Sequence, residues 1–361
     1  MFSIVLGTRP EIIKMSPIIR ACERQNIPFS ILHTGQHYSY EMDRVFFEEL
    51  ELPDAHHNLD IGSGTHGEQT GKMMMGIETV LQEETPDLVL VEGDTNTVVA
   101  AALAAVKLHI PVCHVEAGLR SFDRSMPEEI NRIVADHVSD YLFAPTPTAR
   151  INLNREGIPD QKIFLTGNTI VDAVRENQTI AKKKVNILRE KGLTPGDYCL
   201  ATAHRAENVD VRERLEGIIR GLQLIHDQHN MPVIFPMHPR TEKMVHDYAL
   251  DTDGITVIPP VGYLDFLELE AHARVVLTDS GGVQEEACIL HVPCVTLRDN
   301  TERPETITVG SNMLVGTDAK RIVQGFKGMS QKKRGWKNPF GDGKAGETIV
   351  RICRNRKKSI E

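Results

Sequence analysis

The chain has 361 residues, about twice the usual length of one domain, so we expect two domains with separate hydrophobic cores. Hydrophobic residues make up 40% of the sequence and charged residues 25%, which excludes a disordered, collagenous or coiled-coil protein. The 41 basic and 50 acidic residues give a net charge of −9, so we expect neither nucleic acid nor an anionic membrane as a partner.

Short apolar strands alternate with longer helical patterns in the first half of the chain. The predicted strands are residues 2–6, 30–33, 87–92, 112–116, 141–144 and 162–166. Helical spacing of apolar residues fills most of the stretches between them, for example residues 11–24 and 95–107. Strands and helices in this alternation favour right-handed crossovers and a parallel sheet that is covered on both faces.

A long polar helical stretch interrupts the alternation at residues 169–195, and a second series of strands follows it. These predicted strands are residues 198–203, 232–237, 255–258, 274–278 and 293–297. We therefore predict an α/β protein with two doubly wound, Rossmann-like parallel-sheet domains that face each other across a cleft. The predicted domains are residues 1–170 and 171–342.

No segment is predicted to cross a membrane or to direct secretion. The longest apolar runs, such as residues 98–106, are far shorter than the roughly 20 residues of a bilayer crossing. The first six residues resemble a strand and lack the basic start of a signal peptide. The six cysteines include no C-x-x-C pair, so we expect a cytoplasmic protein with reduced thiols and no zinc site.

Ligands of open parallel sheets bind beyond the carboxyl ends of the strands, so residues that follow a strand are candidate site residues. The first strand is followed by a glycine turn at residues 7–11, where Arg9 and Lys14 add positive charge. Free backbone N–H groups of such a turn suit a phosphate or diphosphate. The alternative is a tight turn with two surface cations.

Acidic residues follow the next predicted strands of the first domain. Asp94 and Glu116 come at the ends of two successive strands, and Glu128 follows Pro127 shortly afterwards. Carboxylates that gather at one edge of a sheet raise each other's pKa, which is one way in which general bases are tuned. Each acid also has a structural explanation, since Asp94 suits a helix N-cap and Glu128 a helix first turn.

In the second domain, His204 follows the first strand and is a candidate acid or phosphate ligand, with a surface histidine as the alternative. The clearest signal is a strand, a turn of small residues at 280–282 and a helix, which together predict an anion site at the helix N-terminus. Glu286 lies one turn inside that helix, where a carboxylate suits ribose hydroxyls. Arg303 adds a further cation.

These motifs, in this order, resemble the non-hydrolysing UDP-N-acetylglucosamine 2-epimerases over nearly the whole chain. They are residues 7–11 with Lys14, 93–95, 114–120, 127–132, 166–169, 279–286 and 301–305. The resemblance implies a GT-B type of fold, a homodimer, and interconversion of UDP-N-acetylglucosamine and UDP-N-acetylmannosamine for surface polysaccharide or glycan synthesis. It also implies a C-terminal helix, at about residues 343–361, that packs back on the first domain.

The resemblance further implies roles for individual residues and calls for no metal or other cofactor. The UDP moiety would be held by Arg9, His204, Ser280, Gly281, Gly282 and Glu286, with Phe266 on the uracil side. The sugar would be surrounded by Lys14, Asp94, Glu116 and Arg303. Proton transfer would involve Asp94, Glu116 and Glu128, with His204 as a further catalytic candidate.

The sequence departs from the family pattern in two places. Residues 36–37 match the start of a region where bacterial members bind substrate as an activator, but residues 38–40 and 62–67 differ from that region. Val261 stands where the family usually has a glutamine, so backbone groups are expected to contact the uracil.

The chemistry of the substrate suggests the reaction route, because no carbonyl group acidifies the hydrogen on C2 of the sugar. We expect UDP to be eliminated first, giving a 2-acetamidoglucal, and then to be added back with the proton on the opposite face. The alternatives are a GT-B glycosyltransferase, a hydrolysing relative, an epimerase of diacetamido UDP-sugars and a regulatory module that binds nucleotide sugars.

Overall fold

A computed structural model describes residues 1–35 and 40–357 of the chain. It consists of two compact units, one formed by Met1–Glu176 with Phe340–Glu361 and the other by Asn177–Pro339. Each unit contains a sheet of parallel strands that alternate with helices, so the predicted α/β class is confirmed. Residues 36–39, which include the start of the expected activator region, and residues 358–361 lie outside the described residues.

Among the described residues, seven parallel strands form the sheet of the first unit. They are β1 (Phe2–Leu6), β2 (Phe29–His33), β3 (His57–Asn58), β4 (Leu88–Glu92), β5 (Val112–Val115), β6 (Tyr141–Ala144) and β7 (Ile163–Leu165). Their spatial order is β3-β2-β1-β4-β5-β6-β7. The sequence did not predict β3, because two residues at a sheet edge show no periodicity.

The second unit has six parallel strands within the described residues. They are β8 (Cys199–Thr202), β9 (Val233–Pro236), β10 (Ile255–Ile258), β11 (Val275–Thr278), β12 (Cys294–Thr296) and β13 (Asn312–Leu314). Their spatial order is β10-β9-β8-β11-β12-β13. In both sheets the order reverses direction at the first strand of the unit, between β1 and β4 and between β8 and β11, and such a reversal is where ligands of doubly wound sheets bind.

The helices lie between the strands in chain order, apart from the last two, which follow β13. They are α1 (Arg9–Arg24), α2 (Tyr40–Glu49), α3 (His66–Glu84), α4 (Asn96–Lys107), α5 (Pro127–Val138), α6 (Pro147–Arg155), α7 (Thr169–Lys184), α8 (Ile187–Glu190), α9 (Ala206–Val209), α10 (Arg212–His229), α11 (Pro239–Asp247), α12 (Tyr263–His272), α13 (Gly281–Ile289), α14 (Pro304–Thr308), α15 (Ala319–Ser330) and α16 (Ala345–Lys357). None of the described helices is both long enough and apolar enough to span a lipid bilayer.

The strands that carry the candidate site residues are buried on both faces. All five residues of β1 and of β4 are buried, and Val5, Val89 and Val91 pack with apolar residues of α3 and α4. The alanine-rich α4 buries nine of its twelve residues, because small side chains allow helices to approach the sheet closely. This packing holds the ends of β1 and β4 rigidly in place.

The last helix packs within the first unit, against α1. A Cβ atom at Gly346 would come 2.9 Å from the Pro17 ring, so only glycine allows this close approach. At the start of α16, the backbone N–H groups of Ala345 and Gly346 donate to the Asp172 carboxylate at 3.2 and 3.0 Å. Asp172 thereby binds two of the N–H groups that a helix N-terminus leaves unpaired.

Candidate active-site residues

The glycine turn after β1 is built around a buried carboxylate. Glu11 accepts hydrogen bonds from the backbone N–H groups of Gly7 (2.7 Å) and Thr8 (2.8 Å) and from the Thr95 hydroxyl (2.5 Å). Burial raises the pKa of Glu11 to about 7, although these three donors act in the opposite direction. The turn was expected to offer free N–H groups to a phosphate, but at Gly7 and Thr8 these groups are bound to Glu11.

Lys14, on α1, joins two carboxylates that stand at strand ends. Its Nζ lies 2.5 Å from Glu116 Oε2 and 3.3 Å from Glu92 Oε1, and all three residues are buried. The Asn168 side-chain amide also donates to Glu116 Oε2, at 3.1 Å. The structure therefore brings the predicted residues Lys14 and Glu116 together and adds Glu92 and Asn168, for which no role was predicted.

Asp94, in the turn after β4, is paired with an arginine. Arg132 Nη2 donates to Asp94 Oδ2 at 2.5 Å, and the Asn131 amide donates to the backbone carbonyl of Asp94 at 2.9 Å. Helix α4 has Thr95 as its N-cap residue, so Asp94 pairs with Arg132 and does not cap the helix. About a quarter of the Asp94 side chain, 27%, is exposed, which leaves the carboxylate accessible to a ligand.

The two acids at the start of α5 have different environments. Glu129 is buried and accepts hydrogen bonds from the N–H groups of Ser121 (2.9 Å) and Phe122 (3.1 Å) and from Arg132 Nη1 (3.1 Å). Burial raises the pKa of Glu129, but these donors outweigh it and lower the pKa below its usual value. Glu128, the predicted catalytic acid, is exposed, and its side chain makes no hydrogen bond within the described residues.

A buried ion network supports the two turns that carry Asp94 and Glu116. His114 Nδ1 lies 2.7 Å from Asp136 Oδ1, and its Nε2 lies 2.8 Å from the Gly93 carbonyl oxygen. Arg120 Nη2 lies 2.7 Å from Asp136 Oδ2. Burial lowers the pKa of His114, but Asp136 and the Gly93 carbonyl outweigh burial and raise it. A protonated imidazole then donates from both nitrogens and fixes Gly93, next to Asp94.

In the second unit, Asp279 organises the turn after β8. Its carboxylate is fully buried and accepts hydrogen bonds from the backbone N–H groups of His204 and Arg205, both at 3.0 Å, and from the Asn208 amide at 3.1 Å. His204 Nδ1 lies 3.3 Å from Asp279 Oδ1, and its ring is half-exposed. The predicted ligand His204 is thus oriented by Asp279, with part of its ring open to solvent.

The N-terminus of α13 follows β11 and has space around it. Within the part of the chain that the structure describes, the N-cap residue Ser280 makes no side-chain capping hydrogen bond. Neither Gly281 nor Gly282 has a positive φ, and an added Cβ would meet its first neighbours only at 3.8 and 4.0 Å. Internal packing therefore does not require glycine at these positions, whereas the close approach of a ligand to the backbone would.

Glu286, one turn further into α13, accepts a hydrogen bond from the Tyr263 hydroxyl at 3.0 Å. Glu270, seven residues after Tyr263 on α12, is fully buried, and burial together with the nearby Glu286 raises its pKa well above the usual range. Phe266, expected on the uracil side, is partly buried against the apolar core of the second unit. Tyr263 was not predicted as a site residue.

Arg303 lies beside the same helix, with its Nε 2.7 Å from Glu285 Oε1. Arg298, which was not predicted, holds Glu302 through two hydrogen bonds of 2.9 and 3.0 Å. Glu302 lies close to Gly281, so this pair forms one wall beside the N-terminus of α13. Arg9, in the first unit, has its guanidinium 4.8 Å from the centre of the Phe46 ring.

The arrangement forms two groups of residues, one in each unit. In the first unit, helix α1 carries Lys14, and Asp94 and Glu116 follow β4 and β5, all beside the point where the sheet order reverses. In the second unit, His204 and the N-terminus of α13 occupy the corresponding position. The first group can transfer protons, and the second can bind an anion.

Comparisons with known proteins agree over nearly the whole chain. The sequence model of a family described as UDP-N-acetylglucosamine 2-epimerase matches residues 20–354. A relative from Methanocaldococcus jannaschii named UDP-N-acetylglucosamine 2-epimerase is 59% identical over 97% of this chain and 98% of its own. A UDP-2,3-diacetamido-2,3-dideoxy-D-glucuronate 2-epimerase from Pseudomonas aeruginosa is 46% identical over 89% of each chain.

The fold agrees with a solved structure. The crystal structure of the Methanocaldococcus jannaschii UDP-GlcNAc 2-epimerase, in complex with UDP-GlcNAc and UDP, superimposes with a TM-score of 0.90 at 59% identity. The match covers 98% of this chain and 99% of that one.

Proposed function

The chain belongs to the UDP-N-acetylglucosamine 2-epimerase family, and we propose that it interconverts UDP-N-acetylglucosamine and UDP-N-acetylmannosamine. The observation that carries this proposal is the buried contact of Lys14 with Glu116, which follows β5, together with the partly exposed Asp94, which follows the neighbouring strand β4. Inversion at C2 needs one group to remove a proton and another to return it, and this place offers several carboxylates.

The proposed route begins with loss of UDP from C1. A carboxylate takes the C2 proton, the C2–H electron pair forms a C1=C2 double bond, and the C1–O bond breaks with its electrons leaving on UDP. This gives a 2-acetamidoglucal. In the return step, UDP oxygen adds to C1 while a proton is delivered to C2 on the opposite face. Asp94, Glu116 and Glu128 are the candidate acids and bases.

The departing diphosphate requires positive charge, and the second unit supports this role. The N–H groups of residues 281–282, which lie in the first turn of α13 where a helix supplies no acceptor of its own, and the half-exposed His204 are suited to bind its oxygens. We assign Ser280 to the same diphosphate, Glu286 to the ribose, Phe266 to the uracil side, and Arg9 and Arg303 to additional cation contacts. Lys14 then faces the sugar with Glu116.

We propose that the product serves the synthesis of surface polysaccharide or other glycans. We also propose that the protein acts in the cytoplasm as a homodimer. The chemistry requires a prior enzyme that makes UDP-N-acetylglucosamine and a later one that consumes the mannosamine epimer.

The proposal is tested by incubating the protein with UDP-N-acetylglucosamine in deuterated water and recording proton NMR spectra. The epimer should form with deuterium at C2, because the proton removed there exchanges with solvent before another returns. Asp94→Asn should lower the rate by about 100-fold or more, as expected for loss of a positioned acid or base. Glu78→Gln, an exposed position on α3, is the matched control and should keep the wild-type rate.

Two outcomes would contradict this function. Retention of protium at C2 in the product would exclude the elimination route. Release of free sugar and UDP without a UDP-linked epimer would instead indicate a hydrolase.

A diacetamido UDP-sugar is the second candidate substrate, because the Pseudomonas aeruginosa enzyme named for such a substrate shares 46% identity with this chain. Its substrate carries a carboxylate on the sugar, which UDP-N-acetylglucosamine lacks. Comparing kcat/KM for the two UDP-sugars decides between them, and we expect the higher value for UDP-N-acetylglucosamine.

A further inference from the structure

Glu92 is a buried carboxyl group at the end of a core strand. Its side chain is 2% exposed, and it lies on the face of β4 opposite to Val89 and Val91. The strand register places it beside Val115, the residue before Glu116. A buried carboxyl group is costly unless it is paired, so its surroundings should show what it does.

The partner of Glu92 is the ammonium group that also contacts Glu116. Lys14 Nζ lies 3.3 Å from Glu92 Oε1 and 2.5 Å from Glu116 Oε2. Glu92 Oε1 makes no hydrogen bond within the described residues, so the 3.3 Å approach of Lys14 Nζ is the polar contact of this oxygen. When one ammonium group faces two buried carboxyl groups, ionising both is unfavourable.

The charges around Glu92 decide which carboxyl group keeps its proton. Burial raises the pKa of Glu92 well above its usual value, and Lys14 opposes this. The carboxylates of Glu116, of Glu11 on α1 and of Asp94 in the following turn raise it further. The surroundings therefore favour the protonated form of Glu92, while Glu116 has the shorter contact with Lys14 and the hydrogen bond from Asn168.

We propose that Glu92 is a positioning residue: its carboxyl group, 3.3 Å from Lys14 Nζ, holds the Lys14 ammonium against Glu116. This proposal rests on the proposed epimerase function. Ionisation of Glu92 at alkaline pH would draw the ammonium away from Glu116, so the enzyme should lose turnover there.

The test compares two substitutions at this position with a control. Glu92→Met removes the polar contact with Lys14, Glu92→Gln keeps a polar neutral group of the same size, and Glu83→Gln changes an exposed acid on α3. Turnover and KM for UDP-N-acetylglucosamine are measured from pH 6 to 10, together with UDP binding and thermal unfolding.

The methionine variant should lose about tenfold or more in kcat with a KM within about threefold of wild type, because the lysine is misplaced and not removed. The glutamine variant should recover most of this loss at neutral pH. It should also keep its turnover at the alkaline pH where the wild type loses it, because glutamine cannot ionise. The Glu83→Gln control should follow the wild-type profile throughout.

Three results would overturn the proposal. One is a methionine variant with wild-type kcat, and another is a glutamine variant that is as impaired as the methionine variant. The third is a glutamine variant that loses turnover at alkaline pH in the same way as the wild type does. This result refutes the role of Glu92 even if the methionine variant does not fold. A wild type without activity on UDP-sugars would refute the proposed function itself, whereas an active wild type with unaffected variants would refute the role of Glu92 alone.

Discussion

Glu128 and Glu129 are neighbours in sequence but differ in burial and in hydrogen bonding. Glu129 is 2% exposed and binds the loop before α5 through the amides of Ser121 and Phe122. Phe122 has a φ of +60°, a conformation that is strained for an aromatic residue and needs support from its surroundings. Glu129 provides that support, while Glu128 is exposed to solvent.

Replacing Glu129 should therefore destabilise the protein, and replacing Glu128 should not. Glu129→Gln removes a negative charge that accepts hydrogen bonds from two backbone N–H groups and from Arg132. We therefore expect the free energy of unfolding at pH 7 to fall by about 2–4 kcal/mol. Glu128→Gln should change it by less than about 0.5 kcal/mol. Urea denaturation followed by circular dichroism measures both.

The contribution of Glu129 to the stability of the fold should also depend on pH. Because its pKa is lowered in the folded protein, its stabilising contribution is present above the unfolded value, near 4.5, and is lost as the pH falls through the lower folded value. The difference in unfolding free energy between the wild type and Glu129→Gln should thus become smaller at acidic pH. An equal difference at pH 7 and at pH 3 would show that the charge of Glu129 does not contribute.

At the scale of elements, the last helix is held by contacts at its beginning. Asp172 on α7 accepts the N–H groups of Ala345 and Gly346, and Gly346 packs against Pro17 of α1. Burial raises the pKa of Asp172 to about 6 even though these two amides oppose the shift. Asp172 therefore ionises in the folded protein only as the pH rises through about 6, and its contribution to stability falls between the unfolded pKa, near 3.8, and that pH.

Asp172→Ala should loosen α16 without disrupting the sheet. Loss of a capping acceptor costs about 1–2 kcal/mol, so the amides of α16 should exchange hydrogen about 5- to 30-fold faster, while those of β1 and β4 should be unchanged. Arg351→Ala, an exposed position later in the same helix, is the control and should leave exchange unchanged. Equal exchange in both variants would show that Asp172 does not anchor the helix.

At the scale of the whole molecule, the six cysteines are divided equally between the two units and are all buried. Cys22, Cys113 and Cys353 belong to the first unit, and Cys199, Cys288 and Cys294 to the second. Burial raises the pKa of Cys288 to about 11, and that of Cys22 to about 12, so these thiols are protonated and unreactive until their surroundings open. Labelling of each cysteine therefore reports opening of its own unit.

UDP should slow the labelling of the second unit selectively. If the diphosphate binds at the start of α13, UDP at 100 times its Kd stabilises the folded second unit by about 2.7 kcal/mol, which is about 100-fold in labelling rate. A thiol reagent with mass spectrometry measures each site, and uridine, which lacks the diphosphate, is the control ligand. Protection confined to the cysteines of the first unit would contradict the assignment of the diphosphate to α13.

Local sequence patterns were sufficient to predict the repeated strand–helix alternation and the strand ends where the site residues lie. Apolar runs of four or five residues predicted β1, β5 and β8 closely, because a strand covered on both faces needs apolar residues on both. The turns at Gly281 and Asp94 followed from the same local patterns.

Only the tertiary structure decided how the charged residues are paired. The sequence predicted Glu128 as a site acid and assigned no role to Glu92, Arg132 or Asn168. In the structure, Glu92 contacts Lys14, Arg132 contacts Asp94, and Asn168 contacts Glu116. Partners that are 37 to 102 residues apart along the chain leave no periodic signal. Whether a carboxyl group is charged depends on burial and on the neighbours that the fold brings within a few ångströms, so it is a property of the folded chain.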